Sequence, residues 1–316
     1  MSHSIRISPK IKENESCFRE VFKDCADILF HTMELGRGKT VDCFVIYLEV
    51  AVSNMILEKS VLGKFINELC KVSGDEILER VEKNALGISD AVQLDTAEDV
   101  VAGVFAGDAV FFIDGYAHAV KISEKGYPSM GVSEADREKV LRGSKEGFTD
   151  SVKTNSALIR KRIRNPGMKV KEQTIGRRSQ TKIQILYIEG LARSEILEEL
   201  ETKLSDFEID GVLDSGVIEQ LTKENWLSPF PQFQTTERPD KCAMELLNGR
   251  VVLLVDNSPV GLLIPAVFND FLQVSEDEYQ TFELATFLRV LRYLAVGCAM
   301  LFSGLYLAVT DFHTQV

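Results

Sequence analysis

Residues 107–120 read GDAVFFIDGYAHAV, and residues 249–264 read GRVVLLVDNSPVGLLI. Each stretch is a glycine, an apolar run, a turn opened by aspartate, and a second apolar run. Asp114-Gly115 between apolar runs is a strong hairpin signal, because a turn that tolerates positive φ matches the twist of the flanking strands. In the second stretch Asn257 takes the place of Gly115, since a short polar side chain accepts the left-handed conformation at modest cost. Gly107 and Gly249, like Asp114 and Asp256, lie 142 residues apart. Working outward, the strand-like run Phe44–Glu49 has a counterpart at Ile185–Glu189, 140 residues on when Glu49 is matched to Glu189. Helical spacing follows both runs: Leu62, Phe65, Ile66 and Leu69 after the first, and Leu197, Leu200 and Leu204 after the second, with Ser194 placed to cap it. Blocks repeating at nearly one offset predict an α/β fold of two tandem related subdomains.

The rest of the chain is divided around these blocks. Residues 1–39 read as a polar and helical extension, with a helix over Phe18–Met33. The first subdomain is expected over 40–148, a basic linker over 149–182 and the second subdomain over 183–284. Tyr293–Val309 is an uninterrupted run of seventeen uncharged, mostly apolar residues. Such a run meets the lower limit for crossing a bilayer as a helix. A transmembrane helix is therefore expected over 288–310, and Arg289 and Arg292 ahead of the run place its N-terminal side in the cytoplasm.

Composition narrows the function classes. A chain of 316 residues with 45% hydrophobic and 27% charged residues is ordinary globular material, and its net charge of −12 disfavours a general nucleic-acid binder. The six cysteines make no C-x-x-C pair and the four histidines lie far apart, so neither a zinc site nor a disulfide framework is expected. Gly36-Arg37-Gly38-Lys39-Thr40 resembles the end of a phosphate-binding loop. Met33 stands where that motif needs its first glycine, and a helix is expected before the turn and a strand after it, the reverse of the required context. Glu49 and Glu189 end equivalent strands and read as exposed strand ends rather than a catalytic pair. No serine or cysteine sits in a nucleophile elbow or beside a positioned base. No enzyme activity and no cofactor are expected. The competing readings are a membrane-anchored nucleotide-binding enzyme using the Gly36–Thr40 turn, and a tail-anchored adaptor.

Two segments stand out as candidate contact surfaces. Between Ser151 and Lys182 lie ten basic residues, Lys153, Arg160, Lys161, Arg162, Arg164, Lys169, Lys171, Arg177, Arg178 and Lys182, against the single acid Glu172. A helix is expected over Val152–Ile163, stopped by Asn165-Pro166-Gly167. The strip reads as a solvated basic surface, or as one facing an acidic partner or anionic lipid. Trp226–Asp240 holds Pro229, Pro231 and Pro239, which make an extended rigid crossing. Asp240 is placed to cap a helix beginning at Lys241. Arg238 is placed to pair with Glu237 or Asp240.

At these residues the chain resembles a known family. Ser151-Val152-Lys153-Thr154-Asn155-Ser156-Ala157-Leu158-Ile159-Arg160, then Arg162-Ile163-Arg164-Asn165-Pro166 and Gly176-Arg177-Arg178, are similar to the central pattern of the A subunits of GerA-type spore germinant receptors. Tyr187-Ile188-Glu189-Gly190, Phe230-Pro231-Gln232, Thr236-Glu237-Arg238-Pro239-Asp240 and Pro265-Ala266-Val267-Phe268 continue the match. The resemblance runs from about residue 40 to the end and includes the stage V sporulation protein AF relatives. It implies a cytoplasmic region of two α/β subdomains followed by a multi-helix membrane region. It implies B and C subunits as partners, a ring of A subunits forming an ion channel in the inner spore membrane, and nutrient-triggered germination. The chain departs from the pattern by ending after one membrane helix, which reads as a fragment or truncation. Lys153, Asn155, Arg160, Arg162, Arg177, Arg178, Thr236, Glu237, Arg238 and Asp240 are the candidate interface and structural residues, with Arg289 and Arg292 flanking the membrane. The basic strip and the Thr236–Asp240 segment are expected to serve contacts between subdomains or subunits, and reversing the charges of Arg160 and Arg162 together is expected to leave the fold intact if those side chains are exposed.

Overall fold

The computed structural model describes residues 6–50, 61–82, 91–123, 138, 144–223, 231–272 and 281–312. Two five-stranded antiparallel sheets share one topology. The first contains β1 (Ile28–Leu35), β2 (Val41–Leu48), β3 (Ala91–Leu94), β4 (Ala109–Ile113) and β5 (Ala119–Ile122), in the order β1-β2-β4-β5-β3. The second contains β6 (Met168–Ile175), β7 (Thr181–Ile188), β8 (Gln234–Thr236), β9 (Val251–Val255) and β10 (Gly261–Ile264), in the order β6-β7-β9-β10-β8. Both sheets are layered between helices. In the first unit α1 (Ile11–Val21) and α4 (Ala97–Ala106) cover one face, while α2 (Val61–Cys70) and α3 (Gly74–Glu82) cover the other. In the second unit the corresponding helices are α5 (Val152–Arg160) with α8 (Pro239–Leu247), and α6 (Ser194–Ser205) with α7 (Ser215–Thr222).

This layering explains the unbroken apolar runs. Successive strand residues point to opposite faces, and here both faces are buried. Phe44, Ile46 and Phe112 therefore pack under α1 and α4, while Val45, Phe111 and Ile113 pack under α2 and α3. All five residues of β4 and all five of β9 are buried. Both expected hairpins are present: β4 pairs with β5, β9 pairs with β10, and Gly115 and Asn257 hold φ of 85° and 64° at the turns.

The hairpin aspartates have a second task that the turn pattern did not show. The Ile11 amide at the start of α1 donates to Asp114 Oδ1 at 3.0 Å, and the Val152 amide at the start of α5 donates to Asp256 Oδ1 at 3.0 Å. Each aspartate thus satisfies an orphan donor and places negative charge at a helix N-terminus. Buried asparagines repeat in the same way. Asn14 accepts from the Ser8 amide and donates to the Ser8 carbonyl, and Asn155 does the same with Thr149.

These matches move the repeat upstream of its expected start. The boundaries expected at 40 and 183 each fall inside a sheet: β1 lies in the stretch read as an extension, and α5, β6 and the turn after it lie in the stretch read as a linker. The helix expected over Phe18–Met33 ends at Val21. Asp24 takes a positive φ of 57°, and the chain re-emerges as β1. The Gly36–Thr40 segment is the hairpin turn joining β1 to β2. A strand follows it, so no helix N-terminus is presented to a phosphate there. Its counterpart in the second unit is the turn Gly176–Gln180. Two smaller placements also differ. Arg193, not Ser194, is the N-cap of α6, and α8 begins at Pro239 with Arg238 as its N-cap.

After β10 come a 3-10 turn, Phe268–Leu272, and α9 (Phe282–Phe312). Within α9 the stretch Phe282–Thr310, 29 residues, holds an apolar window of 18 residues with mean hydropathy 1.7, and none of that window is buried against the described residues.

Candidate functional site

The most heavily engineered contact is the seam between the two units. As the chain leaves α1 it runs alongside the open edge of β6. The Ala26 amide donates to the Val170 carbonyl at 2.9 Å, and the Val170 amide donates to the Asp24 carbonyl at 2.8 Å. Arg160, at the C-terminal end of α5, crosses this seam. Its side chain is 0% exposed, and Nε and Nη2 make a bidentate pair with Asp27 at 2.7 and 2.9 Å. Nη1 donates to the Met168 carbonyl at 2.8 Å, and the guanidinium lies 5.0 Å from the centre of the Phe105 ring. A planar fork with five donors suits this combination of carboxylate, carbonyl and ring face. Lys169, also buried, donates to the Lys23 carbonyl at 2.9 Å near the end of α1, and Lys153 reaches Glu49 at 2.5 Å.

Much of the basic strip is therefore paired with acids of the same chain. Besides these contacts, Lys161 and Arg162 share Glu146, Lys171 pairs with Glu201, and Lys182 pairs with Glu172. Arg160 is a buried bolt between the units, so the condition of exposure under which its charge could be reversed without loss of the fold is not met. Arg162 is half-buried and also donates to the Leu158 carbonyl at 2.7 Å. Arg177 and Arg178 are exposed at the β6–β7 turn, and Arg178 lies 3.7 Å from Asp210 in an open, screened pair. Glu189 is 70% exposed at its strand end, whereas Glu49 belongs to the seam.

A second cluster forms at the start of α8. Arg238 is 2% exposed. Its Nε and Nη2 pair with Asp240 at 3.1 and 2.5 Å, and its Nη1 donates to the Glu138 carbonyl at 3.3 Å. The Glu138 carboxylate accepts from Thr236 Oγ1 at 2.5 Å and from the Glu237 amide at 3.1 Å. Lys241 lies 3.2 Å from the other Glu138 oxygen. Of the two partners foreseen for Arg238, the structure shows Asp240.

Asp27, Glu138 and Glu146 were missed as sequence candidates, and only Asp27 left a signal. When the units are aligned at the 140-residue offset, Asp27 falls opposite Gly167. A charge in one copy and a glycine in the other marks where the repeat is broken to make the seam.

Both clusters are built from ion pairs and hydrogen bonds that hold elements of the fold together. Among the described residues no group of three or more His, Cys, Asp or Glu side chains could hold a metal. A groove of about 380 Å³ beside Pro265 is lined by Glu199 and Lys203, which pair with each other at 2.6 Å. Three of the cysteines, Cys25, Cys43 and Cys242, are buried. Burial, with Asp42 and Asp114 adding to it, pushes the Cys43 thiol up to about 12, and burial also raises Cys25 and Cys242. In the native protein at mildly alkaline pH, a water-soluble thiol reagent is expected to modify exposed Cys70 and spare those three, since the thiolate is the reactive form. Modification of Cys43 at the rate of Cys70, read by mass spectrometry, would contradict the packing described.

Comparison with known proteins places this architecture. The sequence model of the Bacillus/Clostridium GerA spore germination protein family matches residues 16–316. The chain is 34% identical over 312 residues to the uncharacterized membrane protein YfkQ of Bacillus subtilis, covering 98% of this chain and 60% of that protein. It is 35% identical over 311 residues to spore germination protein GerLA of Bacillus cereus, covering 96% of this chain and 63% of that protein. The chain thus spans less than two thirds of the length of these curated relatives. The crystal structure of the N-terminal domain of the A subunit of the Bacillus megaterium spore germinant receptor GerK3 superposes with a TM-score of 0.63 at 26% identity, covering 84% of this chain and 98% of that domain. With a family match over nearly its whole length and the same two-unit fold in a receptor A subunit, this chain belongs to the GerA spore germination protein family.

Proposed function

We propose that the chain forms the cytoplasmic head and a membrane helix of a germinant-receptor A-type subunit. In this reading it works with B and C subunits in the inner spore membrane and couples nutrient sensing to an oligomeric channel. It does so without catalysis of its own. The observation that supports this most is α9, whose apolar window follows directly on the second unit and finds no burial against it. Arg289 and Arg292 lie on the head side of the run, which favours a cytoplasmic head. The paired, buried charges at the seam support a rigid two-unit body that moves as one piece.

The topology is testable with sided vesicles. A membrane-impermeant thiol reagent should reach Cys70 from the cytoplasmic face and the cysteine of Val316→Cys from the opposite face. Labelling of both from one face would remove the spanning helix. The role itself is tested in the spore-former that carries the gene: deletion should abolish germination in response to at least one nutrient, and the intact gene should restore it.

A further inference from the structure

The 3-10 turn between β10 and α9 is built more firmly than a connector requires. Asp270, 8% exposed, accepts the Val267 amide at 2.8 Å and is gripped by Arg250 through Nη1 and Nη2 at 2.9 and 2.8 Å. Arg250 is held in turn by Glu245 at 3.1 Å. This frame presents two apolar side chains to solvent: Val267 is 42% exposed and Phe268 is 53% exposed. Exposed apolar residues scattered singly need no explanation. These two differ because the turn that carries them is tied to α9 where its apolar run begins. The Tyr293 hydroxyl donates to Asn269 Oδ1, next in sequence to Phe268, and Arg292 Nη1 donates to the Leu272 carbonyl at 3.2 Å. Tyr293 opens the apolar run, and tyrosine is enriched where a membrane helix meets the headgroups. From Tyr293 to Val309 the helix rises about 26 Å, close to the hydrocarbon thickness of a bilayer. Asn269, and with it Phe268, is thereby pinned at the height of the membrane boundary.

We propose that Val267 and Phe268 form a lipid-docking tip, by which the second unit seats on the bilayer interface beside the point where α9 enters it. This rests on the reading that α9 crosses the membrane. The occupant is the headgroup–acyl boundary, which accepts the apolar side chains of an amphipathic surface. The tip and the Tyr293–Asn269 tie together hold the head at a fixed tilt, so a rotation of the head would be transmitted to α9 rather than lost in a loose joint.

The experiment uses tryptophan emission from the whole chain reconstituted in two sets of phosphatidylcholine vesicles, one with acyl chains brominated near the headgroup and one with acyl chains brominated near the terminal methyl. Trp226→Phe provides the background, and Phe268→Trp, Val267→Trp and Leu301→Trp are introduced one at a time. The expected result is that Phe268→Trp emits to the blue of its value in denaturant and is quenched by the lipid brominated near the headgroup, while Leu301→Trp is quenched by the lipid brominated near the terminal methyl. Quenching of Leu301→Trp with none for Phe268→Trp and Val267→Trp would overturn the docking tip and leave the spanning helix standing. Absence of quenching at all three positions would overturn the spanning helix and the tip together.

Discussion

Arg160→Ala is expected to lower the unfolding free energy by about 3–5 kcal/mol, because it leaves Asp27 buried with its charge unpaired. Asp27 is 6% exposed and Arg160 is 0% exposed, so neither water nor salt compensates the loss. The Met168 carbonyl loses a donor in the same step. A change of this size shifts the melting midpoint by roughly 6–20 °C in a chain of a few hundred residues. The location of the pair adds a second signature. It joins α5 of one unit to the segment before β1 of the other, so the variant should melt in two transitions where the parent melts in one. Replacing both partners by apolar residues, Arg160→Met with Asp27→Leu, should recover most of the stability, since the penalty lies in the orphaned charge rather than in the missing bond. Calorimetry of the purified chain reads all three outcomes. A cost for Arg160→Ala of less than about 1 kcal/mol would mean that the pair is solvated like a surface bridge. Arg178→Ala serves as the contrast. Its pair with Asp210 is open to solvent and its loss should leave the melting curve unchanged.

The sequence disclosed much of this fold through repetition. The hairpins at Asp114 and Asp256 were legible because a turn that needs positive φ leaves few residue choices, and the same pattern recurs at a fixed offset. The start of each unit was not legible, for a physical reason. Between Phe18 and Met33 apolar residues recur at spacings that a helix would also show, and no Gly or Pro marks the break. It is made by Asp24, whose short side chain tolerates a positive φ that most residues avoid. Extending the offset upstream pairs Asn14 with Asn155 and Gly36 with Gly176, and so identifies α1 and β1 as the counterparts of α5 and β6. The candidate site was legible as charge but not as burial. Arg160 and Arg178 are alike in sequence. One meets an aspartate 133 residues away in the closed seam, and the other sits at a hairpin tip. Periodicity reports the face on which a residue lies and carries no information about a partner in the other unit.

Arg238→Ala tests the second cluster and should also cost about 3–5 kcal/mol, but with a different distribution. Its bidentate partner Asp240 is two residues away, so the pair braces the first turn of α8 rather than joining the two units. Its third contact is with the Glu138 carbonyl, and the Glu138 carboxylate itself holds Thr236 and the Glu237 amide. Loss of the guanidinium should therefore loosen the α8 N-terminus and its hold on Glu138 while the seam stays closed. Hydrogen exchange distinguishes the two cases. Arg238→Ala should accelerate exchange at the Glu237 amide and at Phe148, whose amide donates to the Glu237 carbonyl at 2.9 Å, and leave Ala26 and Val170 protected. Arg160→Ala should give the opposite pattern. Arg238→Lys should recover only part of the loss, because an ammonium cannot make the paired bonds to Asp240. A double-mutant cycle with Asp240→Ala measures the coupling directly. The double variant should be less destabilised than the sum of the singles by at least about 1 kcal/mol, as residues in contact within one network are. Strict additivity would show that Arg238 is held by its packing against α8 and not by Asp240.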